Sequence, residues 1–164
     1  MINYILTCLD TTKFKVYSDL EGHEAPNGGT IPTEHCITTL KPDITITDNK
    51  AKTFNIFELT VPMEPNIKAR HKEKSDKYAH FLSDIKTLKP TLNCFEVGAR
   101  GYLSPQNHVT LKTLHEYCKP GTKLKRFKEN ISLLALYSSY DLFNRRKETL
   151  WIKPGYLSPP LVDE

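Results

Sequence analysis

Lys41-Pro42-Asp43-Ile44-Thr45-Ile46-Thr47-Asp48-Asn49-Lys50-Ala51-Lys52-Thr53-Phe54-Asn55-Ile56-Phe57-Glu58-Leu59-Thr60 reads as a β-hairpin with a carboxylate at the foot of each strand. Ile44-Thr45-Ile46 alternates apolar and polar residues, Asp48 to Lys52 is a polar turn, and Phe54-Asn55-Ile56-Phe57 carries the chain back. A turn centred between Lys50 and Ala51 sets Asp43 directly opposite Glu58. Opposed residues of an antiparallel pair hold their Cβ atoms about 5 Å apart on one face. Two carboxylates so placed can share one Mg²⁺ at Mg–O distances of about 2.1 Å. Thr60, two residues beyond Glu58, points to the same face. The competing reading is an exposed hairpin in which Pro42-Asp43 is an ordinary turn dipeptide. The flanking residues favour the site, because a carboxylate between Phe57 and Leu59 is costly unless paired or bound to a metal.

The next segment supplies cations. From Asn66 to about Ile85 there is no Gly or Pro, and Pro65 suits a first helical turn. At about 100° per residue, Ile67, Tyr78, Phe81, Leu82 and Ile85 form one stripe. His71 and Lys74 fall inside it, Arg70 and Lys77 flank it, and Lys68, Lys72, Glu73 and Asp76 face away. A lysine in a core-facing stripe needs an anionic partner, and Asp43 and Glu58 are the candidates. The alternative is that Lys74 snorkels to solvent. For His71, a core histidine bonded to a carbonyl stands beside a catalytic role.

Lys41-Pro42-Asp43, then Glu58-Leu59-Thr60, then a helix ending Lys74-Ser75-Asp76-Lys77-Tyr78 resembles the PD-(D/E)XK nuclease superfamily. Within it, the pattern is most similar to the restriction-like endonuclease domain of non-LTR retrotransposon polyproteins. Phe95-Glu96-Val97-Gly98-Ala99-Arg100-Gly101 is similar to the strand and glycine turn that follow the helix in those domains. The resemblance spans about residues 14 to 103. It implies a restriction-endonuclease-like α/β core and a site in which Asp43, Glu58 and the Leu59 carbonyl hold Mg²⁺ or Mn²⁺. Lys74 matches the lysine that has moved onto the helix, with Lys77 as the fallback, since Thr60 stands at the superfamily's usual lysine position. Thr60, His71, Lys77, Glu96 and Arg100 are auxiliary candidates. The acid often found on a first helix has no counterpart in Ile2 to Leu9, and Glu34 and Glu21 are the available substitutes. Arg100 reads either as a phosphate clamp near the mouth of the site or as the ion-pair partner of Glu96.

Composition is compatible with that class. The chain has 164 residues, 38% hydrophobic content and a net charge of +4, enough for a single core. Its pI is near 8.8. Lys119, Lys123, Lys125, Arg126 and Lys128 cluster at one expected helix start, and Arg145-Arg146-Lys147 near its end. They read as nucleic-acid contacts or as solvated helix termini. Cys8, Cys36, Cys94 and Cys118 lack zinc spacing and read as reduced thiols of an intracellular protein, nuclear or cytoplasmic. No run is long and apolar enough to span a membrane.

Around the hairpin the expected order is helix, three strands, helix and strand: a small mixed sheet flanked by helices, with additional C-terminal helices. Ile2 to Leu9 is the first helix and Phe14 to Ser18 the first strand. Glu21 to Thr33 is a loop, and Leu92 to Val97 a strand. Ser104-Pro105 starts a helix running to about Tyr117. Thr122 caps a longer one whose Leu124, Phe127, Ile131, Leu134 and Tyr137 keep helical spacing. Residues 1–150 form the nuclease-like domain and 151–164 a Pro-rich tail. The leading expectation is a metal-dependent DNA endonuclease of mobile-element origin, acting on DNA rather than RNA, within a larger polyprotein or an oligomer. A viral cap-snatching-type RNA endonuclease, with His23 or His35 as ligand, is the second. A nuclease fold kept only for binding nucleic acid or protein is the third.

Overall fold

Four strands, Lys15–Ser18 (β1), Ile44–Asp48 (β2), Thr53–Thr60 (β3) and Lys89–Glu96 (β4), make one sheet in the order β1-β2-β3-β4. A computed structural model describes residues 1–146; the expected tail, 151–164, and Lys147 lie outside the described residues. The helices are Ile2–Cys8 (α1), Ile67–Leu82 (α2), Pro105–His115 (α3) and Leu124–Arg145 (α4). β1, β2 and β3 run antiparallel, and β4 joins β3 in parallel after the α2 crossover. The expected α/β class and mixed sheet flanked by helices are present.

The β2–β3 register pairs Ile44 with Phe57 and Asp48 with Thr53. Asp43 and Glu58 are the next step of that register. Side-chain alternation then assigns each face of the sheet. Ile44, Ile46, Phe57, Phe95 and Val97 turn to one face and pack with Ile5, Leu9, Leu111, Leu114, Phe127 and Ile131 from α1, α3 and α4. Phe54 and Ile56 turn to the other, where Ile31, Tyr78, Phe81 and Ile85 cover them. Asp43, Glu58, Thr60, Cys94 and Glu96 share this second face, beneath α2.

Several boundaries differ from expectation. A 3₁₀ turn, Glu64–Asn66, precedes α2, so the α-helix opens at Ile67, and it closes at Leu82 rather than Ile85. There Ser83 turns its hydroxyl back to the His80 carbonyl, and Asp84 N–H bonds Phe81 O, a local competition that ends the helix. β4 starts three residues early, at Lys89, because it pairs along the whole of β3. Pro90 is tolerated there because β4 is an edge strand and the position where an N–H is missing faces away from β3.

Two expectations about α4 fail. Thr122 is not its cap: Lys123 holds that position without a side-chain bond, while the Thr122 carbonyl accepts from His115 Nε2 at 2.6 Å. The buried stripe is Phe127, Asn130, Ile131 and Ala135, and Tyr137 is exposed. Past Ala135 none of the described helix residues is buried, so helical spacing continues beyond the surface it was expected to cover.

Candidate active site

Asp43 enters the site from the residue before β2, its carbonyl held by the buried Ser18 hydroxyl at 2.7 Å. Glu58 lies on the inner strand β3 and is 2% exposed. The two are clasped reciprocally: Asp43 N–H donates to Glu58 Oε1 at 3.2 Å, and Leu59 N–H donates to Asp43 Oδ2 at 2.8 Å. Each carboxylate thus caps the strand end that carries the other, which fixes both rotamers before any ligand arrives. Asp43 Oδ1 has no hydrogen-bond partner among the described residues.

Lys74 reaches down from α2 and donates to Glu58 Oε2 at 2.5 Å. Burial works to lower its ammonium pKa, but the bond to Glu58 and the charges of Glu58 and Asp43 outweigh it and hold the pKa above the ordinary value. Asp43 is pushed the other way for a carboxylate. Burial and the Glu58 charge raise it, against the Leu59 N–H and the charges of Lys74 and Lys77. Lys77 is exposed, its ammonium 4.8 Å from the Tyr78 ring centre. The Tyr78 hydroxyl is buried near enough to Glu58 for burial and that carboxylate to raise its pKa, yet it makes no well-formed hydrogen bond among the described residues. The Thr60 hydroxyl is also buried without a partner among the described residues.

A second acid–base pair lies alongside. Glu96, 2% exposed, places both carboxylate oxygens 3.1 Å from His71 Nδ1. Burial raises the Glu96 pKa, and His71 opposes the rise. Burial also pushes the Cys94 thiol up to about 11, so it is a protonated wall residue and not a nucleophile.

The expected Glu96–Arg100 ion pair does not form. Gly98 and Gly101 turn the chain toward Glu64, and Arg100 gives its backbone N–H to Glu64 Oε1 at 2.9 Å and its Nε to Oε2 at 3.1 Å. A Cβ on Gly98 would sit 2.8 Å from Glu64 Oε1, so a side chain there would push the Glu64 carboxylate aside. Glu34 does not stand in for a first-helix acid: it pairs with Lys15 and His35, and Lys15 is at the far end of β1 from Asp43. Glu21 is exposed. His35 bonds the Thr87 hydroxyl and packs edge-on against Phe54, four residues up β3 from Glu58, while His23 bonds through its backbone, its carbonyl accepting from Ser18 N–H and its N–H donating to the Leu20 carbonyl. The basic cluster of α4 belongs to the opposite side of the sheet. There Lys119 bonds the Thr7 carbonyl, and Lys125 and Arg126 pair with Glu129.

Sequence reasoning missed Asn107. Its amide clamps the Glu96 backbone, accepting from the N–H at 3.2 Å and donating to the carbonyl. The clue was a polar residue at core spacing with Thr110, Leu111 and Leu114.

The donor set suits a hard divalent cation. It offers carboxylate oxygen, one of them unpartnered, and a raised Asp43 pKa that a cation's charge would relieve. Among the described residues no three His, Cys, Asp or Glu side chains converge into a full cage. Two carboxylates with water and substrate phosphate completing the shell is the ordinary Mg²⁺ pattern. Compared with known proteins, the chain matches no family model and no curated sequence.

Proposed function

We propose that this chain is a Mg²⁺- or Mn²⁺-dependent endonuclease that hydrolyses DNA phosphodiesters, of mobile-element origin, with Asp43, Glu58 and Lys74 as its catalytic set. The observation that carries the reading is the convergence of two clasped carboxylates and a helical lysine on one sheet face, in the order of the superfamily motif. Asp43, Glu58 and the Leu59 carbonyl would hold the metal, which when bound supplies charge neutralisation at phosphate and an acidified water. The protein's own contribution is positioning. The reciprocal backbone bonds fix both carboxylates, and the Asp43 carbonyl is tied to Ser18, so little reorganisation is needed on binding. Lys74 balances Glu58 in the free protein. With a cation taking over that charge, its ammonium is available to a non-bridging phosphate oxygen as negative charge develops there.

The test is incubation of the protein with duplex DNA, single-stranded DNA and RNA in Mg²⁺ or Mn²⁺, beside calorimetric titration with Mn²⁺. Cleavage by the wild type that is lost in Asp43→Asn and Glu58→Gln, together with loss of Mn²⁺ binding, supports the reading. Nucleic-acid binding without cleavage under any of these conditions makes the fold a binding module instead.

A further inference from the structure

We propose that His71 is a catalytic residue of this nuclease, the acceptor of the attacking water's proton, with Glu96 as its positioning residue; the inference rests on the reading above. Glu58 is in register with Cys94, and Thr60 with Glu96. Residues paired in a parallel ladder point to the same face, so Glu58 and Glu96 occupy successive places on that face. Lys74 and His71 are three residues apart and lie one above the other on α2. Glu58–Lys74 and Glu96–His71 are therefore adjacent rungs between one helix and one sheet.

The second rung has the parts of a general base. A carboxylate accepts only, so a bond from both Glu96 oxygens to Nδ1 places the imidazole proton on Nδ1. Nε2 of the neutral ring is then the acceptor. Glu96 itself cannot drift, because Asn107 holds its backbone on both sides. The His71 side chain is 40% exposed, and its Nε2 has no hydrogen-bond partner among the described residues. The ring lines a cavity of about 230 Å³ between α2, β4 and α3. Among the described residues that line this cavity there is no carboxylate and no second imidazole. The α3 wall is Gln106, Val109, Thr110 and Thr113, and on β4 Cys94 stays a thiol beside Glu96. On α2 itself, Arg70 is tied to Glu73 and Lys74 to Glu58.

In the step, a lone pair of the water oxygen forms a bond to phosphorus while one water proton passes to Nε2. The bond from phosphorus to the 3′ oxygen breaks, and its electron pair leaves on that oxygen, which takes a proton from solvent. The imidazolium returns its proton to solvent, leaving a 5′-phosphate, a 3′-hydroxyl and neutral His71.

Rate–pH profiles of wild type, His71→Ala, His71→Gln and Glu96→Gln on the best-cut nucleic acid test this, with imidazole added to His71→Ala. The expected result is a loss of about 100-fold in His71→Ala, disappearance of one ionisation from the acidic limb, and recovery by imidazole, which the cavity admits. Nitrogen NMR should show the Nδ1-protonated tautomer in wild type and its loss in Glu96→Gln. A wild-type profile in the variants, a loss that imidazole leaves untouched, or the opposite tautomer overturns the proposal. Mn²⁺ binding unchanged in His71→Ala separates that failure from failure of the metal site. A wild type that cuts nothing removes the nuclease reading and this step together.

Discussion

The face of the sheet under α1, α3 and α4 and the face under α2 are built from the same strands, yet they bury different chemistry. On the first, Ile44, Ile46, Phe57, Phe95 and Val97 pack against Ile5, Leu9, Leu111, Leu114, Phe127 and Ile131 of the helices. On the second, Phe54 and Ile56 give way to Glu58, and Cys94 gives way to Glu96, each carboxylate 2% exposed. Burying apolar surface is favourable without further arrangement, whereas each buried carboxylate must be answered by a specific cation or N–H. The first face is therefore a source of stability. The second spends stability on holding groups that water would otherwise hold. Substitutions on the two faces should differ in size and even in sign.

The largest effect is expected on the apolar face. Phe57 is fully buried at the centre of the larger cluster. Phe57→Ala removes its contacts and leaves a cavity, at a cost of about 3–5 kcal/mol. Urea unfolding should show a much lower midpoint, and an intact midpoint would mean that this face is not the principal core.

Lys74→Ala comes next. It leaves Glu58 Oε2 buried without its partner. Breaking a fully buried pair costs about 3–5 kcal/mol, but the Lys74 side chain is 28% exposed, so water can reach the gap and roughly 2 kcal/mol is expected. Added Mn²⁺ should restore part of the loss by replacing the missing positive charge. Failure of Mn²⁺ to raise the midpoint of either protein would remove the metal from the comparison.

Asp43→Asn should reverse the sign. Burial and the Glu58 charge raise the Asp43 pKa in the fold. A carboxyl group with a raised folded pKa stabilises below its unfolded pKa and loses that contribution as pH rises through the folded value. At neutral pH the ionised group is a net cost. Asparagine keeps an oxygen to accept the Leu59 N–H and removes the charge. The variant should melt higher than wild type near pH 7; the gain should fade as pH falls through the raised folded value and be gone below the ordinary aspartate pKa near 3.9. Equal melting at both pH values would show that the two carboxylates do not strain one another.

How much of this could be read from the chain follows the same division. Alternation in Ile44-Thr45-Ile46 and Phe54-Asn55-Ile56-Phe57 defined the hairpin and its register, because a strand with one polar and one apolar neighbour at every step has one stable pairing. The stripe of Tyr78 and Phe81 put Lys74 over the sheet, since both properties follow from helical period alone. The partners of Glu96 and Arg100 were not legible. Each depends on where a glycine turn sends the chain: Gly98 and Gly101 carry Arg100 to Glu64 and leave Glu96 to His71 across 25 residues. Tyr137 was misplaced for the complementary reason. A periodic pattern states which residues share a helix face, not how far the covering surface extends.

Arg100→Ala should have the smallest effect, and it separates two meanings of an exposed charge at the rim of the second face. The Arg100 side chain is 74% exposed, so its ion pair with Glu64 is worth at most a few tenths of a kcal/mol. What holds the turn is the Arg100 backbone N–H on Glu64, which alanine retains, and the Ala99 N–H on the Pro62 carbonyl. That backbone bond is the leading cause of Glu64 lying below its ordinary pKa, with the guanidinium bond and charge adding to it. By linkage, Glu64 stabilises above its unfolded pKa, and the contribution disappears as pH falls through the lower folded value. Glu64→Ala should therefore destabilise more than Arg100→Ala, and the difference should vanish in acid. If Arg100 also grips a substrate phosphate, Arg100→Ala will weaken DNA binding while the melting temperature barely moves, because a guanidinium released from Glu64 can bind phosphate through two N–H groups. A large fall in melting temperature with unchanged DNA affinity would make the residue a brace for the glycine turn, and the charged face would end at Glu96.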